Sequence, residues 1–85
     1  MELRFTASFS RDYLELALPV RNTLNKKLAI LLTNARHPSL RVKKMEGYVG
    51  IWEGRITKGY RFTFQIDGKT YLLRRAGTHN ILKHP

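Results

Sequence analysis

The side chains best suited to chemistry in this sequence are cations and one imidazole, crowded into its second half. They are Lys43, Lys44, Arg55, Lys58, Arg61, Arg74, Arg75 and His79, with Glu53 among them. Guanidinium groups are planar, permanently charged and able to donate two parallel hydrogen bonds, which suits them to phosphate or carboxylate oxygens. An imidazole gives or takes a proton near neutral pH. Together these types fit the handling of a phosphodiester. Each also has an ordinary reading. Arg61, in the middle of an alternating segment, either lies over a solvated sheet surface or points into an anion site. Glu53 is a candidate base, or a surface partner for Lys58 or Arg55. Most single histidines are plain surface residues, and His79 stands out because His37 sits at a helix end and His84 beside the final proline. Trp52, the only tryptophan, reads more readily as core than as a base-stacking platform.

Composition narrows the partner. Sixteen Lys+Arg against six Asp+Glu leave a formal charge of +10. Such an excess repels itself in a compact state and favours a polyanionic partner: nucleic acid first, an acidic protein second, an anionic membrane surface third. From Arg36 to Arg61 the cations are Arg36, Arg41, Lys43, Lys44, Arg55, Lys58 and Arg61, opposed only by Glu46 and Glu53. The chain has no cysteine, which removes disulfides, thiolate nucleophiles and thiolate zinc sites, and fits a reducing cytoplasm. GxxxxGK[ST], GxGxxG and HExxH are all missing, so no nucleotide cofactor or metal is expected. No apolar run approaches the roughly 18–20 residues of a membrane span, and MELRFTASFS lacks a signal-peptide core.

These side chains need a scaffold, and 85 residues provide for one domain, residues 1–85. Leu3, Phe5, Ala7 and Phe9 alternate as one face of a strand. Ser10 is the expected cap of a short helix running to Leu18, with a break at Pro19. Val20, Leu24, Leu28, Leu31, Leu32 and Ala35 recur at helical spacing, so an antiparallel helical hairpin is expected. His37-Pro38-Ser39 stops the second helix, and the linker SLRVKKMEG follows. Beyond it the period becomes two. Strands are expected around Val49–Thr57, Tyr60–Ile66 and Lys69–Arg75, joined at Lys58-Gly59 and Asp67-Gly68. The fold class is therefore α+β: an N-terminal strand, a helical hairpin, then a three-stranded antiparallel meander. With the second turn at Asp67-Gly68, Arg74 would face Arg61 and Arg75 would face Tyr60. Facing arginines repel, and a phosphate between them removes the penalty.

The segments HPSLRVKKMEG and GIWEGRITKGYRFTFQIDGKTYLLRRAGTH resemble the RelE/ParE superfamily of bacterial toxin–antitoxin toxins. GIWEGRIT with the following YRF is similar to YoeB, and Arg75-Ala76-Gly77-Thr78-His79 is similar to YafQ. The resemblance covers most of the chain. It implies a toxin that cleaves mRNA, typically in the ribosomal A site, without a metal, and that a cognate antitoxin silences. It implies that Arg61 stabilises the scissile phosphate, that Arg55 is a basic neighbour, and that Arg75 and His79 serve phosphate contact and proton transfer. It places RNA-contacting cations at Lys43 and Lys44. Arg74 and Lys58 are further candidate RNA contacts. Glu53 falls where RelE carries a lysine implicated in catalysis. ParE-type members poison DNA gyrase instead, and Arg61, Arg75 and His79 together favour the nuclease branch. A third reading, a plain RNA-binding module, needs only the cations.

Overall fold

In the computed structural model, which describes residues 1–85, two helices cover one face of a five-stranded sheet. The elements are β1 (Glu2–Phe5), α1 (Ala7–Glu15), α2 (Leu18–Thr33), β2 (Lys43–Lys44), β3 (Trp52–Thr57), β4 (Tyr60–Asp67) and β5 (Thr70–Thr78). Short 3-10 turns occupy Pro38–Leu40 and His79–Lys83. The strand order is β1-β5-β4-β3-β2, with β1 parallel to β5 and the other pairs antiparallel. The α+β class and the meander agree with the alternation in the sequence. The linker adds something unexpected, because Lys43–Lys44 pairs with Glu53 and Trp52 as a short edge strand.

The N-terminal half starts differently from its alternating pattern. The strand ends at Phe5, because Thr6 and not Ser10 caps α1: its Oγ1 accepts from the Phe9 backbone N–H at 3.0 Å. The same hydroxyl donates to the Arg74 carbonyl at 3.0 Å, which ties the helix start to β5. Phe9 and Tyr13 then stack at i,i+4 spacing, so the helical period overrides the strand period. The break falls at Leu16-Ala17, and Pro19 sits inside the first turn of α2, where its missing N–H costs no bond. Tyr13 donates to Asn25 Oδ1 at 2.8 Å, and Phe9 and Leu28 line the same groove one turn further from the connection. The two helices therefore run antiparallel.

The core lies between this hairpin and the sheet. Leu24, Leu28 and Leu31 come from α2, Phe9 from α1, Ile56 from β3, Phe62 and Phe64 from β4, and Leu73 and Ala76 from β5. Phe62 and Phe64 are fully buried, each contributing about 1.5–3 kcal/mol of apolar transfer. Gly54 makes room for one of them, since a Cβ there would stand 2.3 Å from the Phe62 ring. Gly54→Ala is therefore expected to lower stability by about 1–3 kcal/mol through overpacking, read as a lower denaturation midpoint at unchanged slope. An unchanged midpoint would mean that the ring can move aside.

The β4–β5 register differs from expectation in two steps. The turn positions are Gly68 and Lys69, not Asp67 and Gly68, with Gly68 taking the positive φ of +59°. A bulge then offsets the pairing between Thr63–Arg75 and Phe64–Leu73, leaving Arg74 without a partner across the ladder. Arg61 consequently faces Gly77, and Arg75 faces Thr63. The turn at Lys58-Gly59 is where the sequence places it.

Candidate functional site

Alternation along the strands sends every second residue to the face that the helices leave free. Two rows matter there. Lys43, Glu53, Thr63 and Arg75 are successive neighbours across β2, β3, β4 and β5. Arg55, Arg61 and Gly77 form the next row toward the β3–β4 turn. The chain's tail folds back over this face. Ile81 is buried with a methyl 3.0 Å from where a Gly77 Cβ would be, so Gly77 admits the tail. Tyr48 Oη donates to the Lys83 carbonyl at 3.0 Å and anchors it further.

Arg55 and Arg61 face each other directly. The facing-arginine arrangement thus exists, but between β3 and β4 and not between β4 and β5. Arg61 Nη1 donates to the carbonyls of Thr57, Lys58 and Tyr60 at 2.8, 3.1 and 3.0 Å, which folds its guanidinium over the β3–β4 turn. Arg55 Nε makes a long bond of 3.4 Å to Thr57 O. Neither has a carboxylate partner, because the protein's two ion pairs are Lys43–Glu53 and Arg75–Asp12. Like charges directly opposite on a sheet destabilise by about 0.2–1 kcal/mol, and the unused guanidinium N–H groups leave room for an outside anion. Lys58 is exposed in the adjoining turn.

His79 belongs to the same end of the sheet. Thr78 is the last β5 residue paired, opposite Tyr60, and His79 opens the tail turn immediately after it. Its ring is exposed and makes no hydrogen bond within the protein. Arg55, Lys58, Arg61 and His79 therefore gather at one end.

The remaining candidates are placed elsewhere. Arg75 Nε lies 2.7 Å from Asp12 Oδ2 of α1, and its Nη1 donates to the His84 carbonyl at 3.1 Å. Arg74 donates to Gln65 Oε1 at 2.6 Å and to the Pro85 carbonyl at 3.1 Å. These two arginines do not face Arg61 and Tyr60; the shifted turn and the bulge carry them along the strand toward the tail. Glu53 is nearly buried and pairs with Lys43 Nζ at 3.6 Å, not with Lys58 or Arg55. Beside it, the fully buried Thr63 hydroxyl has no hydrogen-bond partner. Lys44 alternates to the helix side, where its Nζ stands 5.4 Å from the centre of the Trp52 ring.

Asp12, Gln65 and Tyr48 were not among the sequence candidates, although each holds a residue of this face in place. Asp12 and Arg75 are 63 positions apart, so no local spacing links them. The one available signal was an acid in a short helix of a strongly basic chain.

No protein-family model matches the chain, and no curated protein matches it by sequence. Solved structures do. A YoeB/ParE toxin from Agrobacterium tumefaciens superposes with a TM-score of 0.80 at 20% identity, covering 93% of this chain and 99% of that one. YafQ from E. coli strain BL21(DE3) gives 0.75 at 17% identity, covering 94% of each chain. The intact E. coli RelBE toxin–antitoxin complex gives 0.72 at 23% identity, over 89% of this chain and 93% of its counterpart. The architecture described above is the fold of these toxins.

Proposed function

We propose that this chain, built on the fold of RelE-, YoeB- and YafQ-type toxins, is itself a toxin that cleaves RNA and is held in check by an acidic antitoxin. The observation that carries the reading is the cross-strand pair Arg55–Arg61. It has no carboxylate partner, and His79 lies two residues beyond Gly77, the residue opposite Arg61. Two guanidinium groups bracket a phosphate and neutralise the charge that grows on its equatorial oxygens. The neighbouring 2′-hydroxyl attacks that phosphorus, the bond to the 5′-oxygen breaks, and a 2′,3′-cyclic phosphate remains. His79 gives its proton to the leaving 5′-oxygen, while the 2′-hydroxyl proton passes to solvent, from which the imidazole is then reprotonated. Lys58 holds a flanking phosphate. Glu53 is nearly buried and tied to Lys43, so no role as the base is assigned to it. A 2′-hydroxyl requirement selects RNA over DNA.

The partner follows from charge. A surface of +10 attracts an acidic segment that folds on binding, and the RelBE and DinJ–YafQ structures are toxin–antitoxin complexes. The proposed site of action is mRNA on the ribosome. Mapping transcript 5′ ends after brief expression should reveal new ends, in phase with codons if cleavage occurs during translation. With ribosomes and mRNA in vitro, cleavage should persist in chelator and vanish when the scissile nucleotide is 2′-deoxy. Growth arrest with intact transcripts would overturn the nuclease reading and point to DNA gyrase.

A further inference from the structure

We infer that the helix-side groove beside Trp52 is a second nucleic-acid site, which receives a base of the RNA strand after that strand rounds the β2 edge of the sheet. The inference rests on the RNA reading above for its ligand, but on separate residues.

The groove has a volume of about 490 Å³, enough for a nucleotide. Its floor is apolar and includes Trp52, Val42, Ile66 and Tyr71. Its rim carries Arg36 and Arg41, both exposed and without an ion pair or side-chain hydrogen bond. Lys44 adds a third cation above the Trp52 ring. Glu2 and Asp67 are turned away from this rim, since they share a row with Thr70 on the opposite face, and Glu53 and Asp12 are held in ion pairs elsewhere. An apolar floor with unpaired cations on its rim suits a ligand that is planar on one side and anionic on the other. A nucleotide is such a ligand.

The β2 strand supplies the route. Consecutive strand residues point to opposite faces, so Lys43 stands on the face of Arg55 and Arg61, while Lys44 stands over Trp52. Two adjacent lysines thus stand on the two sides of a very short sheet edge, Lys44 without an ion pair and Lys43 largely exposed beside its partner Glu53. A single strand held at Arg61 can follow Lys43 and Lys44 into the groove with a phosphate near a cation throughout.

Arg41 provides an independent sign. It adopts a left-handed backbone with φ of 46°, the one non-glycine residue of the chain with positive φ. It also ends the Pro38–Leu40 turn, a position at which glycine is the unstrained choice. A cation stands there against the backbone preference, as expected where the charge itself is needed.

Trp52 is the only tryptophan, so its emission reports on this groove alone. Adenosine 5′-monophosphate should quench it saturably in the purified full chain. An uncleavable 2′-O-methyl hexanucleotide should bind at least about tenfold more tightly at low salt, through added phosphate contacts. Arg41→Gly relieves the backbone, so the variant should melt at or above the parent temperature, yet bind the hexanucleotide several-fold more weakly. The slope of log affinity against log salt should also fall by about 0.7, one single-strand phosphate contact. Arg61→Ala should leave the mononucleotide quench unchanged, which keeps a failure here distinct from a failure of the cleavage site. Absence of saturable quenching, or unchanged hexanucleotide affinity in Arg41→Gly, overturns the inference. Quenching by an acidic amphipathic peptide but not by either nucleotide would overturn it too, and would make the groove a protein-docking surface.

Discussion

His79→Ala should reduce RNA cleavage by roughly 100- to 10,000-fold, the usual worth of a positioned general acid or base. Thermal unfolding should scarcely change, because the ring is exposed and makes no hydrogen bond within the protein. That separation makes His79 a cleaner probe than its neighbours. Arg61→Ala should also abolish most cleavage, but its Nη1 holds three carbonyls of the β3–β4 turn, so some stability goes with it. Arg61→Lys keeps the charge but not the planar fork, and should recover the melting temperature more fully than the activity. Rate constants under single-turnover conditions, set beside melting curves for all three variants, check this ordering. A fully active His79→Ala would remove the imidazole from the mechanism and leave the arginine pair as an RNA-binding element without chemistry.

The parts of this molecule that were legible in the sequence are those set by one local rule. Phe62 and Phe64 alternate with polar neighbours, so the inner face of β4 follows from period two, and both are buried. Lys58-Gly59 and the Leu24–Leu28–Leu31 stripe are equally local. Mistakes arose where two rules applied to the same residues. Leu3 to Phe9 satisfies a strand period, while Phe5, Phe9 and Tyr13 satisfy a helical one, and Thr6 decides between them by capping. Asp67-Gly68 and Gly68-Lys69 both offer Gly68 for positive φ, and choosing the first displaces every pairing between β4 and β5. The bulge at Arg74 has no sequence marker, since it contains no glycine. The cation cluster itself was visible from composition. Its division into an unpaired set at the β3–β4 turn and a bonded set under the tail depends on register and on a contact spanning most of the chain.

That long-range contact should dominate stability. Asp12 accepts from Arg75 Nε at 2.7 Å and from the Ala76 backbone N–H at 3.0 Å, beyond the point where β1 stops pairing with β5. Its side chain is only 15% exposed, and Asp12→Ala leaves the Arg75 guanidinium with the His84 carbonyl as its one acceptor and the edge N–H of Ala76 with none. The expected loss is about 2–3 kcal/mol, a large part of the roughly 4–13 kcal/mol available to a domain of this size. Asp12→Asn retains an acceptor for Ala76 N–H and should lose about half as much. Arg75 is 31% exposed, and after Arg75→Ala the Asp12 carboxylate still accepts from Ala76 N–H, so that variant should cost less, with a coupling to Asp12 of about 1–2 kcal/mol in a double-mutant cycle. Denaturant titration of the four proteins provides the cycle. Cleavage by the folded Arg75→Ala variant then decides the role of this arginine. A rate within about threefold of the parent makes it a strut between α1 and β5, because less than 1 kcal/mol of transition-state energy passes through it. A loss as deep as that of Arg61→Ala, not shared by Asp12→Ala, would require the guanidinium to leave Asp12 for the phosphate, and the active surface would then extend beneath the tail.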